Sequence, residues 1–141
     1  MPPSDNLEPN ATAFPSLIIA DDHALVRRVV RAEATQLLPQ TVALEVSDVR
    51  SLLRTAGASP QHRLAVVSAA MAGCDTKLLQ ELAALCPMMP IVVISCPASP
   101  RVVDQLLRIS TVRAALSKDA EAHQLRFAME AALRGRTLHH L

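Results

Sequence analysis

The stretch RLAVVSAAMAGCD, residues 63–75, begins as a buried strand and ends abruptly in small residues. Apolar residues run without interruption from Leu64 to Val67, and Ser68 follows where the strand should end. A strand that is apolar on both faces is typical of a parallel sheet covered by helices on both sides. The stretch therefore predicts an α/β fold, with a serine at the strand end where ligands of such sheets bind.

Further short apolar runs flank this strand on both sides and alternate with helical patterns. Strands are predicted at 17–20, 42–46, 64–68, 91–95 and 112–117. The segments between them carry apolar residues at helical spacing, and a final helix is predicted over about 121–134. Ser47 is expected to cap the second helix. Five alternations with right-handed crossovers predict a doubly wound, three-layer α/β domain.

The length of 141 residues fits one domain with a single core, predicted to span residues 16–136. Residues 1–15 hold four prolines among small polar residues and are expected to form a disordered leader. Residues 137–141 are expected to be a tail or the start of a linker.

Composition argues against several functional classes. The formal net charge is +1, and two Phe with no Tyr or Trp give no aromatic platform for single-stranded nucleic acid. No apolar run approaches the roughly 18 to 20 residues that span a bilayer, so no membrane association is expected. Cys74, Cys86 and Cys96 form no CxxC pair, which predicts reduced thiols and a cytoplasmic location.

Polar side chains stand at the ends of four predicted strands. They are Asp21 and Asp22 after the first, Ser68 and Ser95 at the ends of the third and fourth, and Lys118 after the fifth. Because parallel strands end at one edge of the sheet, these side chains are expected to lie together.

Four motifs in order resemble the receiver domain of bacterial response regulators. They are LIIADDHALVRR (17–28), MAGCD (71–75), PIVVIS (90–95) and LSKDA (116–120). The resemblance covers about residues 16–136 and is strongest to the NarL/LuxR-type branch of these CheY-like domains. It implies a flavodoxin-like (βα)5 fold with a parallel sheet of order 2-1-3-4-5.

The resemblance also assigns roles, and the chain departs from several. Ser68 stands at the position of the phosphoacceptor aspartate. Ser95 matches the hydroxyl switch residue, Ala115 replaces the aromatic switch residue, and Lys118 matches the family lysine. The spacing from Ser95 to Lys118 is about one residue longer than is typical. With one carboxylate of three missing, no cofactor is expected, and Mg²⁺ binding at Asp22 is expected to be weak or lost.

The resulting hypothesis is a pseudo-receiver, a two-component signalling module that is not an enzyme and is not phosphorylated at the usual site. It would act through protein–protein interaction or as the regulatory domain of a transcription factor. One alternative is a receiver phosphorylated at an unusual site. The other is a Ser–Lys hydrolase using Ser68 and Lys118, which no GxSxG-type elbow supports.

Each site residue also has a simpler interpretation. Asp22 is equally well explained as the N-cap of the first helix. Ser68 is expected to be satisfied by backbone groups, and Ser95 by local hydrogen bonding at its strand end. Lys118 is expected to pair with Asp21 or Asp22, because unpaired acids there would be costly.

The expected partners follow from the resemblance. A homodimer through the face made by helix 4, strand 5 and helix 5 is one candidate, with a solvated polar face as the equally weighted alternative, and a sensor kinase or another signalling protein is a second candidate partner. DNA would be bound only through an effector domain absent from this chain. That face is predicted to carry mixed charges able to pair across a two-fold axis, namely Arg101, Asp104, Arg108, Arg113, Glu121, Arg126 and Glu130.

Overall fold

The computed structural model describes residues 15–59 and 61–138. Nearly all of the predicted leader, and residues 139–141 of the predicted tail, lie outside the described residues.

Five strands and five helices alternate along the described part of the chain. The strands are β1 (Ser16–Ala20), β2 (Val42–Val46), β3 (His62–Ser68), β4 (Ile91–Cys96) and β5 (Val112–Ser117). The helices are α1 (Ala24–Leu37), α2 (Val49–Gly57), α3 (Thr76–Leu85), α4 (Pro100–Leu107) and α5 (Ala122–Leu133).

All neighbouring strands are parallel, in the order β2-β1-β3-β4-β5. This arrangement confirms the predicted flavodoxin-like sheet. The least buried strand, β2, lies at an edge of the sheet, where a strand neighbours it on one side only.

Apolar side chains form two cores, one on each face of the sheet. Side chains such as Val67 and Leu82 pack on the face covered by α2, α3 and α4. Leu17 and Met129 belong to the core on the opposite face, which α1 and α5 cover. Ion pairing reinforces that second layer, since Arg126 of α5 contacts Glu33 of α1 with an Nη2–Oε1 distance of 2.6 Å.

The strand pairing is interrupted at three places by an extra residue. Ser16 and Leu17 pair with His62 and Leu64, which leaves Arg63 unmatched. Arg113 is likewise the extra residue in β5, because Ile91 pairs with Val112 and Val92 pairs with Ala114. The third irregularity lies in β4 between Val93 and Cys96. Bulges are uncommon in parallel sheets, and they redirect the side chains that they contain.

Two predicted helix caps are wrong by one residue. The N-cap of α2 is Asp48, not Ser47, and its carboxylate accepts the backbone N–H of Ser51 at 2.7 Å. The N-cap of α1 is His23, which makes no side-chain capping bond, so Asp22 does not cap this helix. None of the helices in the described ranges is long and apolar enough to cross a membrane.

Candidate functional site

The two aspartates after β1 lie in different environments. Asp21 is 1% exposed, whereas Asp22 is exposed. The carboxylate of Asp21 accepts the backbone N–H of His23 at 2.9 Å, and its own N–H donates to the carbonyl of Val46 at 3.1 Å. Asp21 is therefore held rigidly at the end of β1, whereas Asp22 faces solvent.

His23 contacts both carboxylates. Its Nδ1 lies 3.1 Å from Oδ1 of Asp21 and 2.9 Å from Oδ1 of Asp22. Because carboxylate oxygens only accept, Nδ1 carries the hydrogen, which occupies the space between the two acids. The three side chains have donor atoms within 4.8 Å of one another. This set fits Mg²⁺ poorly, since Mg²⁺ prefers several oxygen ligands.

Ser68 lies beside Asp21 in the sheet, because β1 and β3 pair through Ala20 and Val67 one residue earlier. It is fully buried, and its Oγ accepts the backbone N–H of Ala70 at 3.2 Å. The prediction that backbone groups satisfy this serine is confirmed. A hydroxyl held in this way has no neighbouring general base within hydrogen-bond distance among the described residues.

The loop after Ser68 packs closely on α2. Gly73 has a φ of +81°, the left-handed region that side chains rarely adopt. A Cβ at this position would also lie 3.2 Å from Cγ2 of Val49. The glycine of the MAGCD motif is therefore required by the path of the loop. Asp75, which follows in the same loop, caps α3 by accepting the N–H of Leu78 at 2.8 Å.

Ser95 is half-buried and lies in the irregular part of β4. Its φ of 54° is unusual for a residue other than glycine. The expectation of local side-chain hydrogen bonding is wrong, since none joins Ser95 to any described residue. Its side chain lines a cavity of about 300 Å³ with Leu25 and Val29 of α1 and with Lys118.

Ala115 leaves space where the resemblance implies an aromatic ring. It lines a cavity of about 480 Å³ between α4 and the segment that joins β5 to α5. Small side chains such as Ala98, Ser99 and Ala120 line the same space. No ring is present here to move between two positions.

Lys118 does not pair with the acids. It is exposed, and no carboxylate of the described residues lies within 4 Å of its Nζ. The predicted ion pair with Asp21 or Asp22 is therefore wrong. His23 contacts these acids instead, and sequence analysis gave it no role.

Arg27 is a second contributor that sequence analysis missed. Its Nη1 donates to the backbone carbonyl of Asp21 at 2.7 Å, and its Nε donates to Glu45 at 3.0 Å. Glu45 also accepts from Arg31 at 2.8 Å. Hydrogen bonding from Arg31 is the main cause that lowers the pKa of Glu45. Arg27 thus links Glu45 of β2 to the backbone of Asp21 and holds the carboxyl end of β1, called here the acidic edge, in place.

Solved structures with the same architecture are receiver domains. The isolated REC domain of RcsB from Salmonella enterica serovar Typhimurium, solved in the presence of the phosphomimetic BeF3-, superposes with a TM-score of 0.75 at 18% identity. The alignment covers 89% of this chain and 92% of that one. This chain has the receiver fold.

Other receiver structures agree. The signal receiver domain of the putative response regulator NarL from Mycobacterium tuberculosis gives a TM-score of 0.68 at 23% identity, with 87% of this chain and 98% of that chain covered. CheY4 of Vibrio cholerae gives 0.71 at 13% identity, covering 85% and 99%. No family model and no curated protein matches the sequence. The TM-scores of these structures establish the receiver fold of this chain. Their sequence identities are too low to assign it an activity.

Proposed function

We propose that this chain is a pseudo-receiver: a receiver-fold signalling module that acts by protein–protein interaction without a phosphorylation switch. The observation that carries the proposal is the fully buried Ser68 at the carboxyl end of β3, with its Oγ bonded to the N–H of Ala70. Phosphoryl transfer to a receiver requires a carboxylate that attacks phosphorus and a cation that neutralises the developing charge. Ser68 supplies no carboxylate at this position.

Three further observations support the loss of the switch. The donor atoms of Asp21, Asp22 and His23 form a poor set for Mg²⁺, with an imidazole between the acids. Lys118 is exposed and lies beyond ion-pair distance of both acids. Ala115 lines an open cavity where an aromatic switch would pack. The acceptor position, the acidic residues, the placement of the lysine and the aromatic switch position all depart from what phosphorylation would need.

Incubation with acetyl phosphate and Mg²⁺ tests the proposal. We expect no mass increase of the intact protein and no change in its NMR spectrum with beryllofluoride plus Mg²⁺. A Ser68→Asp variant is the matched control, because it restores the acceptor in the same edge. Stoichiometric phosphorylation of the unaltered chain, mapped to any residue of this edge, would overturn the proposal and favour a receiver with an unusual site.

A Ser–Lys hydrolase finds no support in the geometry. Ser68 is fully buried, Lys118 is exposed, and no hydrogen bond joins them in the described part of the chain. The nucleophile would lack both its base and access to substrate. We accordingly propose a module without enzymatic activity that works in the cytoplasm, either alone or as the regulatory domain of a transcription factor.

The partners that we propose are a sensor kinase or another signalling protein, and a second copy of this chain bound through α4, β5 and α5. Any contact with DNA would need an effector domain. Two charged residues of the proposed dimer face already have partners within the chain. Arg126 pairs with Glu33, and Glu130 pairs with Arg134. Arg101, Asp104 and Arg108 of this face are exposed and make no such pairs among the described residues.

Sedimentation over a wide concentration range tests the dimer. We expect Arg101→Glu to weaken self-association, more strongly at low salt because exposed charges are screened. Arg50→Glu on α2, also exposed, is the matched control and should leave association unchanged. A monomer at every concentration would exclude the dimer without touching the pseudo-receiver proposal.

A further inference from the structure

A cavity of about 320 Å³ lies at the opposite edge of the sheet, where β3 and β5 begin. Its walls come from the first residues of these strands, the turn before β4 and the end of α5. The lining includes Arg63, Thr111, Arg113, Met88, Met89 and Leu133. The volume is at the small end of the range for ligand sites.

Both arginines that line this cavity are the extra residues of bulges. Arg63 is unmatched in the pairing of β1 with β3, and Arg113 is unmatched in the pairing of β4 with β5. A bulge frees a side chain from the alternation that would otherwise place it on one face of the sheet. Two independent irregularities thus occur at two arginines that line one cavity.

The positive charge here is not neutralised within the described residues. No carboxylate lines the cavity, and none lies within 4 Å of Arg63 or Arg113. By contrast, Arg27 of α1 pairs with Glu45, and Arg126 of α5 pairs with Glu33. The two cavity arginines thus share one cavity with no acidic side chain on its lining.

Two buried donors on the lining also lack partners. Nε of Arg113 is buried without a hydrogen bond, and its Nη1 donates to Oγ1 of Thr137 at 3.1 Å. Oγ1 of Thr111 is buried and unpaired, and the residue is only 6% exposed. Buried polar groups are usually paired, and each exception costs free energy. Both residues line the cavity, although these two atoms are themselves buried in its wall.

We propose that this cavity binds a small organic anion, a carboxylate or a phosphate monoester with an apolar substituent. Arginine binds a carboxylate or phosphate through charge-assisted hydrogen bonds, and Arg113 lines the cavity. Arg63 supplies the second positive charge. Met88, which is 91% exposed, and the buried Met89 supply apolar contacts for the substituent.

The site is independent of the acidic edge and of the loss of phosphorylation. It lies at the amino ends of the strands, whereas Asp21 and Ser68 stand at the carboxyl ends. A ligand bound there contacts the end of α5, because Ala132, Leu133 and Gly135 form part of the wall. Occupancy is therefore expected to restrain the segment that follows α5, where Leu138 donates its N–H to the carbonyl of Arg113 at 2.7 Å.

Titration with inorganic phosphate, benzoate and phenyl phosphate tests the proposal, with binding followed by calorimetry and by backbone NMR. We expect saturable binding that is tightest for a probe combining an anionic and an apolar group, with NMR shifts at Thr111 and Arg113. Arg63→Gln and Arg113→Gln should each weaken it about tenfold or more, the loss typical of a charged hydrogen bond. Arg50→Gln, on the exposed face of α2, is the matched control.

The result separates the sources of the anion. Tighter binding of phenyl phosphate than of benzoate would assign a phosphate ligand, and the reverse order would assign a carboxylate. Lack of saturation with all three probes would overturn the proposal, as would equal affinities in the unaltered chain and in both cavity variants. Circular dichroism of each variant verifies that the fold is kept.

Discussion

The hydroxyl oxygen of Ser68 accepts the backbone N–H of Ala70, two residues ahead, at 3.2 Å. This small bond closes the turn after β3 without help from any charged group. A carboxylate at the same position would lie buried beside Asp21, which is itself 1% exposed. The serine therefore gives the edge a neutral, locally satisfied end to its central strand.

Ser68→Asp should destabilise the protein when no metal is present. Two buried carboxylates side by side repel each other, at a cost on the order of 1 kcal/mol or more. Millimolar Mg²⁺ should recover part of the loss, because a ligand that binds only the native state stabilises it. Thermal unfolding with and without Mg²⁺ measures both effects.

Ser68→Asn is the matched control, since it has nearly the shape of aspartate without the charge, and it should show no Mg²⁺ response. Asp22→Asn in the Ser68→Asp background should abolish the recovery. If Ser68→Asp matches the unaltered chain in stability and in Mg²⁺ response, the edge is not arranged as a receiver acidic pocket.

Replacing Ser95 by glycine should stabilise the protein by about 0.5 kcal/mol or more. The φ of 54° costs a residue with a side chain roughly 1 kcal/mol, and glycine avoids this cost. The greater conformational entropy of glycine in the unfolded chain cancels only part of that gain. Ser95→Val should lower stability by about 1 kcal/mol, because a β-branched residue fits this conformation worst. Chemical denaturation distinguishes them, and a glycine variant no more stable than the valine variant would contradict this account.

Glu45→Gln should lower stability at neutral pH by less than about 1 kcal/mol, the usual range of a partly exposed ion pair. Bonds from Arg31 and Arg27 lower the pKa of Glu45 below its ordinary 4.5. The native state then binds fewer protons than the unfolded state near that pH, so the contribution is present above pH 4.5 and is lost as pH falls. Urea unfolding between pH 2.5 and 7 should show the two proteins converging in acid.

The three cysteines should react slowly with iodoacetamide in the native protein. Burial, aided by the charge of Asp75, raises the pKa of Cys74 to about 11, and burial also raises the pKa of Cys86 and Cys96. The thiolate is the reactive form, so a shift from 9.0 to about 11 slows alkylation of Cys74 at pH 8 by about 100-fold. Rapid native labelling, equal to that in urea, would contradict this expectation.

The sequence predicts the strands well because their apolar runs are continuous. β2 and β5 begin and end at the predicted residues, and the apolar spacing of α5 locates that helix to within one residue at each end. Alternation and apolar periodicity are local properties, and here they agree with the global fold.

Contacts at the carboxyl edge were less predictable, because they depend on distances between residues remote in the chain. Lys118 was expected near the acids from charge alone, yet it is exposed. His23 directly follows Asp21 and Asp22 in the sequence, and this position was the one indication that its side chain contacts their carboxylates. Ser47 and Asp48 are both good caps, so propensity did not distinguish them.

The amino edge was missed for a different reason. Arg63 and Arg113 are charged residues within otherwise largely apolar strands. Because side chains alternate between the two faces of a strand, the sequence pattern alone assigns each of them to a face that meets solvent. Only the pairing of neighbouring strands reveals that each is an extra residue.

The bulge at Arg113 also determines how β5 tolerates a change in length. Deleting Arg113 would bring Val112 and Ala114 into direct succession opposite Ile91 and Val92, and every later side chain would keep its face. Deleting Ala114 would leave the strand equally short but with the basic side chain opposite Val92, in the core. Arg113 is thus the position at which we expect β5 to tolerate a deletion.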